Sequence, residues 1–115
     1  MPRMAIREMK FAKIYPMYVQ KVERKGRSRA ELDDVIGWLT GFDEAAMADQ
    51  IARETTFETF FDEASLNPNA GEIKGVICGY RVEEIEDPVE RQVRMLDKVV
   101  DELAKGRKLE KIKRA

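Results

Sequence analysis

The clearest helix signal in the chain lies in residues 87–106, DPVERQVRMLDKVVDELAKG. Asp87 is a favoured N-cap residue with Glu90 three positions later, and Pro88 occupies the first helical position, where its missing N–H costs nothing. Apolar residues then recur at steps of four and three as far as Leu103, and Gly106 suits a left-handed C-terminal cap. This segment predicts a long C-terminal helix over about residues 88–105.

The same start and stop signals recur through the rest of the chain. Further candidate capping boxes join Ser28 to Glu31, Thr55 to Glu58 and Asn69 to Glu72. Glycines follow apolar-periodic segments at Gly26, Gly41 and Gly79. Between these marks the apolar spacing is helical, which predicts an all-α, single compact domain of five to seven short helices. Because short helices joined by tight turns pack at steep angles, we expect orthogonal packing.

Residues 73–80, IKGVICGY, allow two interpretations. The residue types of Ile73–Ile77 suit a short buried strand, whereas the asparagine cap before them and Gly79 after them favour a helix. We expect a helix, in which Gly75 and Gly79 permit the close approach of another helix or of an aromatic side chain such as Trp38. Cys78 would then pack as a small buried hydrophobe.

Composition limits the function classes. With 115 residues, 43% hydrophobic and 37% charged, the chain suits one globular domain with a real core. The absence of histidine excludes Ser-His-Asp and Cys-His sites, and a lone Cys78 excludes an internal disulfide or a multi-cysteine metal site. No apolar run approaches the ~20 residues of a membrane helix, and the N-terminus lacks the apolar segment of a secretory signal. We therefore expect a cytoplasmic protein with no membrane partner, no cofactor and no metal ion.

Charge is divided unevenly along the chain. Residues 1–30 carry nine basic and two acidic side chains, residues 31–72 one basic and eleven acidic, and residues 73–115 eleven basic and nine acidic. We divide the chain into a basic N-terminal arm (1–10), a helical domain (11–106) and a basic C-terminal tail (107–115). Cations near helix C-termini oppose the helix dipole, which explains some of the basic residues. It does not explain Arg3, Arg7, Lys10, Lys13, Arg27 and Arg29, which can meet acids of the middle segment in the same chain or in another.

This segregation favours a non-enzymatic helical interaction module that self-associates, and we expect a homodimer. Complementary faces of one molecule satisfy each other in a symmetric dimer. The best-placed residues are Arg7, Lys10, Arg27 and Arg29 on the basic side and Asp33, Asp34, Asp62 and Glu63 on the acidic side. The sequence contains no recognisable catalytic motif, so we assign no catalytic residue.

A second hypothesis is a small anionic-ligand-binding or enzymatic pocket around Lys74 and Arg81. Helix turns can bring cationic, amide and aromatic groups together around an anion. The candidate ligand-binding residues are Trp38, Asn67, Asn69, Lys74 and Arg81. Trp38 lies between two glycines and suits either the core or a pocket wall. A nucleophilic role for Cys78 is disfavoured because no histidine base is present.

Nucleic-acid binding is the third hypothesis. Residues 28–54 have the lengths of a helix-turn-helix, but Asp43–Glu54 carries four acids against Arg53 and would repel phosphates. The basic arm, with Phe11 and Tyr15 interleaved, could follow a nucleic-acid backbone weakly. We favour a solvent-exposed basic face with both aromatics in the core, and do not expect nucleic-acid binding. The acids of residues 83–90 suit a helix start better than a metal site.

The chain also carries a series of recognisable motifs. They are FA at 11–12, YPMY at 15–18, KGR at 25–27, WLTGF at 38–42, NPN at 67–69, IKGVICG at 73–79, RVE at 81–83, IEDP at 85–88, LDK at 96–98 and ELAKG at 102–106. In this order they resemble the bacterial domain-of-unknown-function 2200 family over about residues 6–112. The resemblance implies a small bacterial cytoplasmic protein with a mostly helical, orthogonally packed domain. It brings no catalytic residue, cofactor or partner to this chain.

Overall fold

Helices joined by tight turns form most of the structure, a computed structural model that describes residues 5–114. This part of the chain contains the α-helices α1 (Phe11–Arg24), α2 (Arg29–Thr40), α3 (Glu44–Ala52), α4 (Phe57–Glu63), α5 (Pro88–Ala104) and α6 (Leu109–Ile112). It also contains 3₁₀ turns at Ile6–Glu8, Pro68–Glu72 and Val82–Glu84 and a hairpin of β1 (Val76–Ile77) and β2 (Tyr80–Arg81). The mostly helical single domain is confirmed. The expectations for Arg3 in the basic arm and for Ala115 lie outside the described residues.

Side-chain caps begin two of the long helices at the predicted residues. Ser28 and Glu31 form a complete capping box at α2, because the Glu31 N–H donates to Ser28 Oγ and the Ser28 N–H donates to Glu31 Oε1. Asp87 begins α5 by accepting from the backbone N–H groups of Val89 and Glu90. Since each cap satisfies amide donors that the helix itself leaves unpaired, these residues fix where the two helices start.

Two predicted capping boxes are displaced. The cap of α4 is Thr56, not Thr55, because the Thr55 hydroxyl is buried and donates to Gln50 Oε1 at 2.7 Å. Asn67, not Asn69, caps the following 3₁₀ turn, in which Pro68 takes the first position.

The predicted helix over residues 73–80 is wrong. β1 pairs antiparallel with β2, with Val76 opposite Arg81 and Ile77 opposite Tyr80. Cys78 and Gly79 form the two-residue connection with φ values of 53° and 81°, which are the positive angles of a tight hairpin turn and not those of a helix. Cys78 is exposed at the hairpin tip, so its expected burial is also wrong. Gly79 lies in this turn and Gly75 precedes β1 with a φ of 108°, so neither forms the expected helix contact.

The core is built around α5, which contacts α1, α2, α4 and α6. Its inward face includes the fully buried Leu96 and Val100. Between α1 and α4, the rings of Phe11 and Phe60 stack with centroids 4.3 Å apart. The chain before α1 is tied to the same region, because the Phe57 N–H donates to the Met9 carbonyl oxygen at 2.8 Å. These contacts hold α1 firmly against the body of the domain.

The chain after α5 also packs on the body. Ile112 of α6 is fully buried, and the Arg114 guanidinium donates to both carboxylate oxygens of Glu102 at 2.9 and 2.8 Å. None of the helices within residues 5–114 has the length and apolarity required to cross a bilayer.

Candidate functional site

A cavity of about 620 Å³ opens between α1, α2 and α3. Its apolar lining includes Trp38 in the last turn of α2, Phe42 between α2 and α3, and Met47 and Ile51 of α3. Cavities of about 300–1,000 Å³ with mostly apolar walls are typical of small-molecule sites. The size of this open cavity and its mixture of apolar and polar lining suit an organic ligand that carries polar groups.

Glycine shapes the end of the cavity beside Trp38. Gly41 ends α2 in the left-handed region with a φ of 77°, and its N–H donates to the Gly37 carbonyl oxygen at 2.8 Å. A Cβ atom on Gly37 would lie 2.9 Å from the Phe42 carbonyl oxygen. Only glycine at this position lets the turn fold back so closely on α2, and this brings Phe42 into the lining.

A tyrosine links two charged residues of α2 at the cavity. The Tyr15 hydroxyl of α1 donates a hydrogen bond to Asp33 Oδ1, and Arg29 Nε donates to the same hydroxyl at 3.0 Å. The Arg29 guanidinium also lies over the Tyr15 ring, 5.5 Å from its centroid. Burial, followed by the hydrogen bond to Asp33, raises the pKa of Tyr15, so the hydroxyl keeps its proton at neutral pH.

Several polar groups on the cavity lack a partner within residues 5–114. From the described residues, Asp33 Oδ2 receives no hydrogen bond, and neither Asp33 nor Glu44 has one of their basic side-chain nitrogens within 4.0 Å. The Trp38 indole N–H has no acceptor there either. Asp34, in contrast, accepts from Lys113 Nζ at 2.6 Å. The cavity thus offers both acceptor and donor groups to a ligand.

A second tyrosine–aspartate pair lies away from the cavity and is closed. The Tyr18 hydroxyl donates to Asp97 Oδ1 at 2.5 Å, and Arg94 donates to Asp97 Oδ2 at 3.0 Å. Burial is the main cause that raises the pKa of Tyr18 well above its ordinary value. Because both oxygens of Asp97 are engaged, this pair joins α1 to α5 and leaves no open acceptor.

The candidate ligand-binding residues do not meet in this cavity, apart from Trp38, which lines it. Asn67 caps a 3₁₀ turn, and Asn69 Nδ2 donates to the Arg114 carbonyl oxygen at 3.2 Å. Lys74 is exposed beside the hairpin.

Arg81, the remaining candidate of that set, lies on the hairpin. It has Glu83 and Glu84 within 3.6 and 3.9 Å. Its charge is therefore offset by two neighbouring acids, which disfavours an anion at this position.

The basic residues proposed for self-association have partners in their own chain. Arg7 pairs with Glu58 and with Asp87, so its neutralisation does not require a second molecule. Lys10 lies 3.6 Å from Glu54. Arg29 lies at the cavity.

Arg27, the fourth of these basic residues, joins two parts of the chain. It pairs with Glu31 at 2.8 Å and also donates to the carbonyl oxygens of Leu103 and Arg107. Its charge is therefore used to hold α2 against the end of α5.

The acidic residues proposed for the same interface are also placed within one chain. Asp33 and Asp34 lie on the cavity, and Glu63 pairs with Arg53 at 2.6 Å. Asp62 is exposed and has no ion-pair partner among residues 5–114. Self-association stays a prediction. Most of the charged residues proposed to drive it already have partners within one chain, so they do not provide a reason for it.

Sequence reasoning missed that Tyr15, Arg29 and Asp33 form one site. Helical spacing assigns Tyr15 to the core, which agrees with its 7% exposure but leaves its hydroxyl unexplained. The available signal was the row Arg29, Asp33 and Gly37, spaced four residues apart and therefore on one face of α2. No three cysteine, aspartate or glutamate side chains among the described residues are grouped to hold a metal ion.

Comparison with known proteins agrees with this fold. The crystal structure of uncharacterized protein SP1917 superposes with a TM-score of 0.87 at 38% sequence identity, covering 96% of this chain and 93% of that one. No curated protein matches the chain. The pattern of a family described as uncharacterized proteins conserved in bacteria matches residues 5–114. The chain therefore belongs to this bacterial family, DUF2200.

Proposed function

We propose that this protein binds a small organic molecule in the cavity between α1, α2 and α3. The observation that carries the proposal is one cavity of about 620 Å³ that combines aromatic side chains with polar groups lacking a partner in the described chain. Trp38 and Phe42 offer apolar surface, while Asp33 and Glu44 offer acceptors. This is the usual composition of ligand sites, in which apolar contact supplies area and a few polar groups supply orientation.

The polar groups suit binding better than activation of a substrate. The pKa of Tyr15 is raised by burial, so its hydroxyl acts as a hydrogen-bond donor and not as a base. Through that hydroxyl, Arg29 and Asp33 are held in place before any ligand arrives. Groups that are already ordered lose less conformational entropy on binding, which favours affinity.

The single tryptophan of the chain provides a direct test. Trp38 lines the cavity, so its fluorescence should change when a ligand enters. We expect at least one compound in a set of small amines, carboxylates and neutral aromatics to alter the Trp38 emission. The same compound should raise the unfolding temperature, because a ligand at a hundred times its Kd adds ~2.7 kcal/mol of stability.

A matched pair of variants locates the binding. Ala45 and Ala48 are both exposed residues of α3, but only Ala48 lines the cavity. Ala48→Phe should fill the cavity and weaken binding by about tenfold or more, while Ala45→Phe should leave the Kd unchanged. Wild-type affinity in the Ala48→Phe protein would exclude the cavity as the site. Failure of every compound in the set to bind would also contradict the proposal.

A further inference from the structure

The charged residues around the cavity have a net negative balance. Three carboxylates, Asp33, Asp34 and Glu44, line it together with one cation, Arg29. Asp34 is already paired with Lys113. The remaining two carboxylates have no basic nitrogen within 4.0 Å among residues 5–114, so the cavity favours a cation over an anion.

Arg29 offsets only part of this balance, because it is one cation beside two carboxylates that have no direct ion pair. Its Nε donates to the Tyr15 hydroxyl, and its guanidinium lies over the Tyr15 ring at 5.5 Å from the centroid. The guanidinium is thus held on the tyrosine, and it makes no ion pair with Asp33 within 4.0 Å. A ligand cation therefore does not have to displace it.

Asp33 has one oxygen available in a fixed position. Oδ1 accepts from Tyr15, and Oδ2 accepts from no donor within the described residues. The residue is half-buried, so water reaches it less freely than it reaches a surface carboxylate. A partly desolvated carboxylate gains most from a charged donor, because charge-assisted hydrogen bonds are the strongest of the polar contacts.

The rest of the lining distinguishes among cations. Aromatic faces attract organic ammonium groups, and Trp38 and Phe42 line this cavity in addition to Tyr15, whose ring already carries the Arg29 guanidinium. Met47 and Ile51 add apolar surface for a carbon body. A bare metal ion would use neither, and no three acidic or thiol side chains among residues 5–114 are close enough together to hold one.

We infer that the ligand is an organic ammonium compound whose charged nitrogen donates to Asp33 Oδ2 and whose apolar body packs on Trp38 and Phe42. This inference rests on the proposed function, because it names the chemical class that the same cavity takes. It also explains why a cavity with three carboxylates has aromatic walls.

Three probes of matched body and different charge test the class. They are 2-phenylethylamine, 2-phenylethanol and 3-phenylpropionate, titrated into the wild-type protein with Trp38 fluorescence as the readout. We expect the amine to bind about tenfold more tightly than the alcohol, and the carboxylate to bind most weakly, since it meets like charges. Added salt should weaken the binding of the amine and leave the binding of the alcohol unchanged.

Asp33→Asn identifies the charge that matters. Asparagine keeps an acceptor for Tyr15, so the fold is retained, but the negative charge is lost. We expect the Kd of 2-phenylethylamine to rise about tenfold in this variant and that of 2-phenylethanol to stay within about twofold. Glu86→Gln removes one negative charge from an exposed residue outside the cavity and should change neither value.

The outcomes separate this inference from the proposed function. Equal affinity for the three probes, tighter binding of the carboxylate, or no loss of amine binding in Asp33→Asn would overturn the ammonium class while leaving a ligand cavity in place. No binding of the amine to the wild-type protein, with other compounds bound, would do the same. Amine binding that is equal in wild-type and Ala48→Phe proteins would remove both, because the site would then lie elsewhere.

Discussion

Tyr15 is the residue on which the candidate site depends. Its ring belongs to the core of α1, with centroids 5.6 Å from Phe11, while its hydroxyl reaches the cavity. One hydrogen bond to Asp33 and one from Arg29 then fix the two charged side chains relative to each other. A tyrosine suits this position because its ring can be buried in the core while its hydroxyl forms hydrogen bonds at the solvent-accessible cavity. Phenylalanine has no hydroxyl to do this.

Tyr15→Phe should destabilise the protein by about 1 kcal/mol, because it removes two hydrogen bonds next to a cavity that water can enter. Urea unfolding measures the loss. Tyr80→Phe is the control, since Tyr80 is exposed and its hydroxyl makes no hydrogen bond within residues 5–114. It should change the free energy of unfolding by less than about 0.5 kcal/mol. Equal effects of the two variants would contradict a special role for the Tyr15 hydroxyl.

At the scale of elements, local signals predict the helices well and the hairpin poorly. Ser28 and Asp87 each cap a helix at the predicted residue, because a cap is a contact between residues three apart or fewer. Gly79 has a positive φ, as predicted, but a helix end and a two-residue hairpin both require that angle. The glycine therefore cannot distinguish the two structures. The segment of residues 73–80 is also too short for its apolar spacing to distinguish a helix from a hairpin.

The hairpin turn carries a residue that is poorly suited to it. Cys78 adopts a φ of 53°, a backbone angle that residues other than glycine, asparagine and aspartate rarely adopt. Asparagine followed by glycine is the preferred pair for such a turn. Cys78→Asn should therefore stabilise the protein by roughly 0.5–1 kcal/mol, whereas Cys78→Val should destabilise it by a similar amount or more. Thermal unfolding of both variants provides the measurement. A higher unfolding temperature for Cys78→Val than for the wild-type protein would contradict the positive φ at this turn.

The candidate site was less predictable than the helices because it exists only at the scale of the whole molecule. Trp38 was recognisable from its glycine neighbours as a candidate pocket residue. Tyr15, Arg29 and Glu44 come from three different helices, and spacing along one helix does not report which helices meet. The same holds for charge. Arg7 meets Glu58 across the fold, so charge segregation along the sequence does not translate into unpaired faces.

The pH dependence of stability also belongs to the whole molecule. On the acid side, hydrogen bonds from Arg27 and from the Ser28 backbone lower the pKa of Glu31, and hydrogen bonds from Arg53 and Gln50 lower the pKa of Glu63. A carboxyl whose folded pKa lies below its unfolded value stabilises the fold fully above that unfolded value. The contribution is lost as pH falls through the folded pKa.

On the alkaline side the sign is reversed, because burial raises the pKa values of Tyr15 and Tyr18. Their contribution is complete below the unfolded tyrosine pKa of about 10 and is lost as pH rises beyond it. The chain has no histidine to titrate between these limits. We therefore expect the free energy of unfolding in urea to be nearly constant from about pH 5 to pH 9 and to fall on both sides.

Tyr18→Phe should reduce the loss of stability at alkaline pH, whereas Tyr80→Phe should not. A peak of stability near neutral pH, with clear losses by pH 6 and pH 8, would contradict this assignment.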